Sequence, residues 1–188
     1  MKKSPIKLII SGLPAVGKTT LAKSIAEKFG VKHYGGGDAL KLVAIDEGYE
    51  PIGDDWWDKE DGMKFTEQRK NDPFFDEKVD KQLMKIISQG NAVITSYTLP
   101  WIYDDGVKIW LNGSLENRAE RMISRDNITI EEALKITNLR DSKNKELYKT
   151  IYDFDLSDLS VFDFVMNTDL LSKEDLKKVV FKILEHLK

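Results

Sequence analysis

The stretch that most constrains this chain is Gly12-Leu13-Pro14-Ala15-Val16-Gly17-Lys18-Thr19. It follows the apolar run Ile6 to Ile10 and precedes an amphipathic segment, Leu21 to Phe29. Strand, glycine loop and helix in that order make GxxxxGK(S/T) a loop for the phosphates of a nucleoside triphosphate. Glycine at 12 and 17 admits backbone angles that a β-carbon forbids, so successive N–H groups converge on one anion. A helix opening near Gly17 adds unpaired N-terminal donors and the positive end of its dipole. Lys18 supplies a compact cation for the β- and γ-phosphates, and the Thr19 hydroxyl is a ligand for Mg²⁺. The expected ATP contacts are therefore Gly12, Leu13, Pro14, Ala15, Val16, Gly17, Lys18, Thr19 and Thr20.

Composition narrows the partners. Residues 1–188 fit a single domain with material for a real core, 41% of it apolar. Net charge is −3 with mixed signs along the chain, so there is no basic block to track a polynucleotide and none is expected as a partner. The chain has no cysteine, which excludes a disulfide framework, a thiol nucleophile and a cysteine zinc site. Only His33 and His186 are present, too few for a histidine-centred metal cluster. Met1 to Pro5 is too short for a signal peptide, and no apolar run approaches membrane-spanning length. The expected location is cytoplasmic.

Along the chain, strands alternate with helices. Ile6–Ser11, Val31–Tyr34, Asn91–Ser96, Val107–Leu111 and Phe162–Asn167 read as strands, short and mostly apolar. The first helix ends at Gly30, a left-handed cap. Three glycines at 35 to 37 precede a helix from Ala39 to Glu47; they make either a tight turn or a close approach to a ligand. Asp38 is placed to be that helix's N-cap, and Lys41 stands one turn further in. Glu50 to Gly62 reads as a packed surface loop or lid, its Trp56-Trp57 pair either anchoring it or stacking on a base. A short helix from Met63 to Lys70 carries Arg69. Asp72-Pro73 then opens a helix bearing Val79, Leu83, Met84 and Ile87.

After the fourth strand, Ser114 caps a helix packed through Leu115, Ala119, Met122 and Ile123. Arg118, Arg121 and Arg125 share a second face of it, either a solvated row or a set of phosphate contacts. Thr129 and Glu132 form a capping box for a long helix through Tyr152. The last helix, capped from Ser172, offers Leu176, Val179, Val180, Ile183, Leu184 and Leu187 as its apolar face. The alternation requires an α/β architecture, a parallel sheet with helices on both faces.

In the order of its parts the chain resembles the nucleoside monophosphate kinases, and most closely the archaeal-type cytidylate kinases. The resemblance spans nearly the whole sequence. It rests on GLPAVGKTT at Gly12 to Thr20, GGGDALK at Gly35 to Lys41, RAERMISRD from Arg118, and ELYKTIYDFDLSDLSVFDFVMNTD from Glu146 to Asp169. It implies a three-layer P-loop kinase fold on a central five-stranded parallel sheet. A small helical monophosphate-binding lobe would occupy residues 35–90 and a short lid about 121–145. The implied reaction moves the ATP γ-phosphoryl group to a nucleoside monophosphate, CMP or dCMP, with Mg²⁺. Lys18, Arg121, Arg125 and Arg140 would be the catalytic cations, neutralising charge on the group in flight. Gly37, Asp38, Lys41, Arg69 and Tyr97 would hold the acceptor.

Three positions depart from the family pattern. Lys41 stands where the motif GDxxR has its arginine. Thr95-Ser96-Tyr97 replaces a Glu-Gly-Arg turn, and Leu147 replaces an arginine. These changes leave the ATP half intact and fall on the acceptor half. A kinase for a different small acceptor, or an ATP-binding regulatory factor on a kinase-like body, are the alternatives.

Overall fold

The computed structural model describes residues 5–52, 60–62, 64–65, 72 and 75–187, with only the backbone of residues 124–126. Strands β1 (Lys7–Gly12), β2 (Lys32–Gly35), β3 (Ala92–Thr95), β4 (Val107–Asn112) and β5 (Phe164–Asn167) form one sheet in the order β2-β3-β1-β4-β5. Every pairing is parallel. The helices are α1 (Lys18–Phe29), α2 (Gly36–Asp46), α3 (Phe75–Ser88), α4 (Leu99–Ile102), α5 (Leu115–Asp126), α6 (Ile130–Tyr152) and α7 (Lys173–His186). Residues 60–62 and 64–65 are also helical. This is the α/β architecture expected, with two helical layers around the sheet.

The period-two alternation of a strand sorts the core into those layers. Leu8 and Ile10 of β1, with Val93 of β3, face α1 and α7, packing on Leu21, Ile25, Leu176 and Val180. Ile9, Ala92 and Ile94 point the other way, onto α2 and α3 through Ala39, Val43, Leu83 and Ile87. Phe65 and Phe75 close that side edge to face, their centroids 5.2 Å apart. A third, smaller cluster joins α5 to α6 through Ala119, Met122 and Ala133, with Ala15 of the glycine loop against it.

Helix ends follow the local chemistry. Gly30 closes α1 in the left-handed region at φ 65°. The Ser114 hydroxyl accepts the Asn117 N–H, and the Thr129–Glu132 capping box opens α6. Some boundaries differ from the expectation. The second helix begins at Gly36 and not Ala39, so Asp38 is not its N-cap. Its carboxylate instead accepts the Gly35 N–H at 2.7 Å from the third helical position. The four-residue α4 is too short to carry a periodic signal in the sequence. β5 starts at Phe164; Phe162 turns out of the sheet onto Trp101, edge to face with centroids 5.3 Å apart. Val179 of α7 is exposed, as is Leu187 just past its end, so the packed stripe is narrower than the apolar residues suggested.

The Trp56-Trp57 pair and Arg69, with most of the helix carrying it, lie outside the described residues. Among the described residues, no helix is long and apolar enough to cross a membrane.

Candidate active site

The site gathers at the carboxyl ends of the central strands, where open parallel sheets place their ligands. The loop leaving β1 turns at Gly12, whose φ of 144° lies where side chains are rarely accommodated. A β-carbon there would strike the Leu111 carbonyl of the neighbouring strand. Gly17, at φ 97°, leads into α1 without any side-chain cap, and no acidic residue occupies the first turn. The orphan N–H groups and dipole of a twelve-residue helix are thus left for an anion.

Lys18 lies over this loop. Its Nζ donates to the Gly12 and Leu13 carbonyls at 2.6 and 2.9 Å. It sits 4.6 Å above the Tyr97 ring centroid, with the Tyr97 hydroxyl at 3.5 Å. Burial, then the nearby Arg140 and Arg118 charges, bring its pKa down to about 7, with Asp141 opposing them. A cation held so reluctantly is poised to be stabilised by incoming phosphate.

Arg121 is anchored by Thr168, donating to its hydroxyl at 2.9 Å and its carbonyl at 2.8 Å. With Gly17, Lys18, Thr19, Thr20 and Lys173 it lines a cavity of about 450 Å³. Arg140 is exposed on α6, yet its charge is felt at both Lys18 and Tyr97. The Arg125 side chain lies outside the described residues. Arg118 departs from the arginine row read in the sequence. It is 3% exposed and bidentate to Asp141 at 3.0 and 2.6 Å. It also donates to the Gly113 and Pro14 carbonyls, at 3.1 and 3.4 Å. Arg118 therefore ties β4, the glycine loop and α6 together and has no free face for phosphate.

Lys18 also lines a second cavity, of about 260 Å³. Gly36 and Leu40 line it from α2, Asp80 and Leu83 from α3, Thr95 from the end of β3 and Tyr97 from the turn after it. Gly37, Asp38 and Lys41 stand on the same helix as Gly36 but outside this lining. Tyr97 stacks on Tyr148 of α6, centroids 5.7 Å apart and planes 29° from parallel. The Thr95 hydroxyl, where the resemblance expects a carboxylate, is 3.1 Å from His33 Nε2. Leu147, the third departure, is exposed.

Sequence reasoning missed Asp80, Thr98, Tyr148 and Tyr152, which complete the second cavity. Asp80 carried a faint signal, an acid set among Val79, Leu83 and Ile87 on the apolar stripe of α3. Thr168 and Lys173, beside Arg121, carried none.

Among the described residues, no three His, Cys, Asp or Glu side chains cluster as a metal cage. Mg²⁺ needs no such cage, since it keeps several waters and shares phosphate oxygens with one or two protein ligands. The exposed Thr19 side chain, a hard oxygen donor lining the larger cavity, fits that part.

Similar proteins agree with this geometry. A cytidylate kinase from Methanocaldococcus jannaschii is 35% identical over 186 residues, covering 96% of this chain and 98% of that one. A cytidylate kinase from Pyrococcus horikoshii is 32% identical over all of this chain and 92% of its own. A shikimate kinase structure from Bacteroides thetaiotaomicron superposes with a TM-score of 0.59 over 97% of this chain and 98% of that one. At 18% identity it speaks for the shared P-loop kinase fold alone. The sequence pattern of the cytidylate kinase-like family matches residues 8–170. The chain belongs to the cytidylate kinase-like family.

Proposed function

We propose that this protein transfers the γ-phosphoryl group of ATP to CMP or dCMP in the cytoplasm. The observation that carries the reading is that Lys18 lines both cavities, the one beside Thr19 and Arg121 and the one beside Tyr97 and Asp80. A single cation at the junction of two compartments is what in-line transfer between two phosphates requires. ATP would occupy the larger cavity, its phosphates against the glycine loop. The acceptor would occupy the smaller one. An acceptor phosphate oxygen then bonds to the γ-phosphorus as the bond to the β,γ-bridging oxygen breaks, leaving ADP.

In this reading Lys18 neutralises the moving group from below, and Arg121, Arg125 and Arg140 approach it from α5 and α6. Mg²⁺, held by Thr19 and the phosphates, would neutralise charge on the β- and γ-oxygens. Residues 35–90 serve as the acceptor-binding lobe, with Gly37, Asp38, Lys41, Arg69 and Tyr97 contributing, and about 121–145 as the lid. A coupled ADP assay across all ribo- and deoxyribonucleoside monophosphates tests the assignment. CMP and dCMP should give the largest stimulation of ATP turnover; a response to none of them rejects it.

Lys18 also gives a proton signature. Because its pKa is depressed in the fold, the folded chain binds fewer protons than the unfolded chain between pH ~7 and ~10.5. Its contribution to stability therefore rises with pH across that window. Phosphate restores the ammonium, so ATP binding at pH 8 takes up close to one proton and weakens as pH rises above ~7. Calorimetry at pH 8 in buffers of differing ionisation enthalpy measures this; identical heats in all of them contradict it.

A further inference from the structure

Asp80 is an acid in the wrong place for a purely structural residue. It is 5% exposed, on the apolar stripe of α3, in the wall of the 260 Å³ cavity. Among the described residues its partners are hydroxyls and not a cation. The Thr98 hydroxyl donates to Oδ1 at 2.5 Å, and the Tyr152 hydroxyl donates to Oδ2. Ser96 Oγ accepts the Thr98 and Leu99 N–H groups, both at 3.1 Å, and lies 3.1 Å from Thr98 Oγ1. With both of its own lone pairs taken, the Ser96 hydroxyl must donate to Thr98, which fixes the direction of the chain. Thr98 and Tyr152 are both spent as donors toward Asp80. Among the described residues, what remains on Asp80 is acceptor capacity, one unused lone pair on each oxygen.

Resting on the acceptor reading above, we propose that Asp80 reads the acceptor base by accepting a hydrogen bond from an exocyclic amine. It would thereby select an aminopyrimidine over its oxo counterpart. Lys18 and Asp80 line the same cavity, one cationic and one acidic. A ligand with phosphate at one end and an N–H donor at the other satisfies both. The stacked Tyr97–Tyr148 pair lines the same cavity and suits a flat ring. Cytosine presents the N4 amine as a donor, which Asp and Glu accept; a ring with O4 in that position presents an acceptor instead. Set against Asp80, that oxygen meets another acceptor, because the Thr98 and Tyr152 hydroxyls already donate to the carboxylate. Burial, together with Asp76 and Glu77, already pushes the Asp80 carboxyl up, so an added N–H donor is welcome there.

The test compares kcat and KM for CMP and UMP in the wild type, Asp80→Asn and Tyr152→Phe, with melting curves for each. Asp80→Asn keeps the size and adds an N–H donor. Its kcat/KM for CMP should fall ~10–100-fold, the range for a hydrogen bond to a charged group, mainly through KM. UMP should hold or improve, so the CMP:UMP preference collapses. Tyr152→Phe removes one of the two hydroxyls that orient Asp80 and should lower the same preference by a smaller factor. An unchanged preference in Asp80→Asn, with or without a lower melting temperature, makes Asp80 a structural tie and overturns the proposal. Should Asp80→Asn not fold, an unchanged preference in Tyr152→Phe overturns it equally. If the wild type phosphorylates neither nucleotide, the transfer reading fails separately. Equilibrium binding of CMP against UMP then decides Asp80, and equal affinities reject it.

Discussion

Replacing Lys18 by alanine should lower acceptor-dependent phosphoryl transfer by about 10³-fold, the scale on which losing one preorganised charge contact is felt. The size follows from position. Lys18 touches both cavities, and Arg121, held by Thr168, lines the larger one with it. No other described cation lines both. The fold should hardly notice. Burial drives the Lys18 pKa down, so the folded chain carries this ammonium at a cost, and alanine removes that cost along with two hydrogen bonds to loop carbonyls. A steady-state assay beside a melting curve separates the two effects. Residual turnover within tenfold of the wild type means that Lys18 does not meet the transferring group.

The second large effect is on stability. Arg118→Ala should cost about 3–5 kcal/mol, the range for breaking one side of a buried ion pair. The Arg118 side chain is 4% exposed and that of Asp141 14%, so alanine strands a carboxylate away from water. It also releases the Gly113 and Pro14 carbonyls, which slackens the glycine loop against α6. Urea unfolding measures the loss. The double change Arg118→Met with Asp141→Leu should recover most of it, since no charge is then buried unpaired. A loss below about 1 kcal/mol in Arg118→Ala would place the pair with ordinary surface salt bridges and refute the strut.

The contrast between these two residues marks what the sequence could reveal. The setting of Lys18 was legible because it is local. The glycines, the strand before it and the helix after it lie within a few positions, and their geometry is dictated by backbone sterics. The strands were legible for a similar reason: Leu8, Ile9 and Ile10 need both faces covered, which only flanking helices provide. Arg118 was not legible. Helical spacing put it in a row with Arg121 and Arg125, but its partner Asp141 is on the following helix, 23 residues on. Periodicity reports which face a residue occupies, never what packs against that face.

The same limit hid the second cavity. Asp80, Thr98 and Tyr152 come from α3, the start of α4 and the end of α6, and meet only through tertiary packing. Asp38 went astray for a local reason. Asp is a strong N-cap former, but Gly36 and Gly37 add no side chain to hinder helical angles, so the helix starts earlier and leaves Asp38 to cap from inside. The expectation of a broad apolar face on α7 failed because it counted apolar residues without asking how wide a stripe the sheet covers.

The most direct test is to mix purified protein with ATP, Mg²⁺ and CMP and follow the products by phosphorus NMR. Transfer between the two cavities predicts CDP and ADP appearing one for one, with no CDP when Lys18 is alanine. Inorganic phosphate released at the same rate with and without CMP, and no CDP, would contradict it.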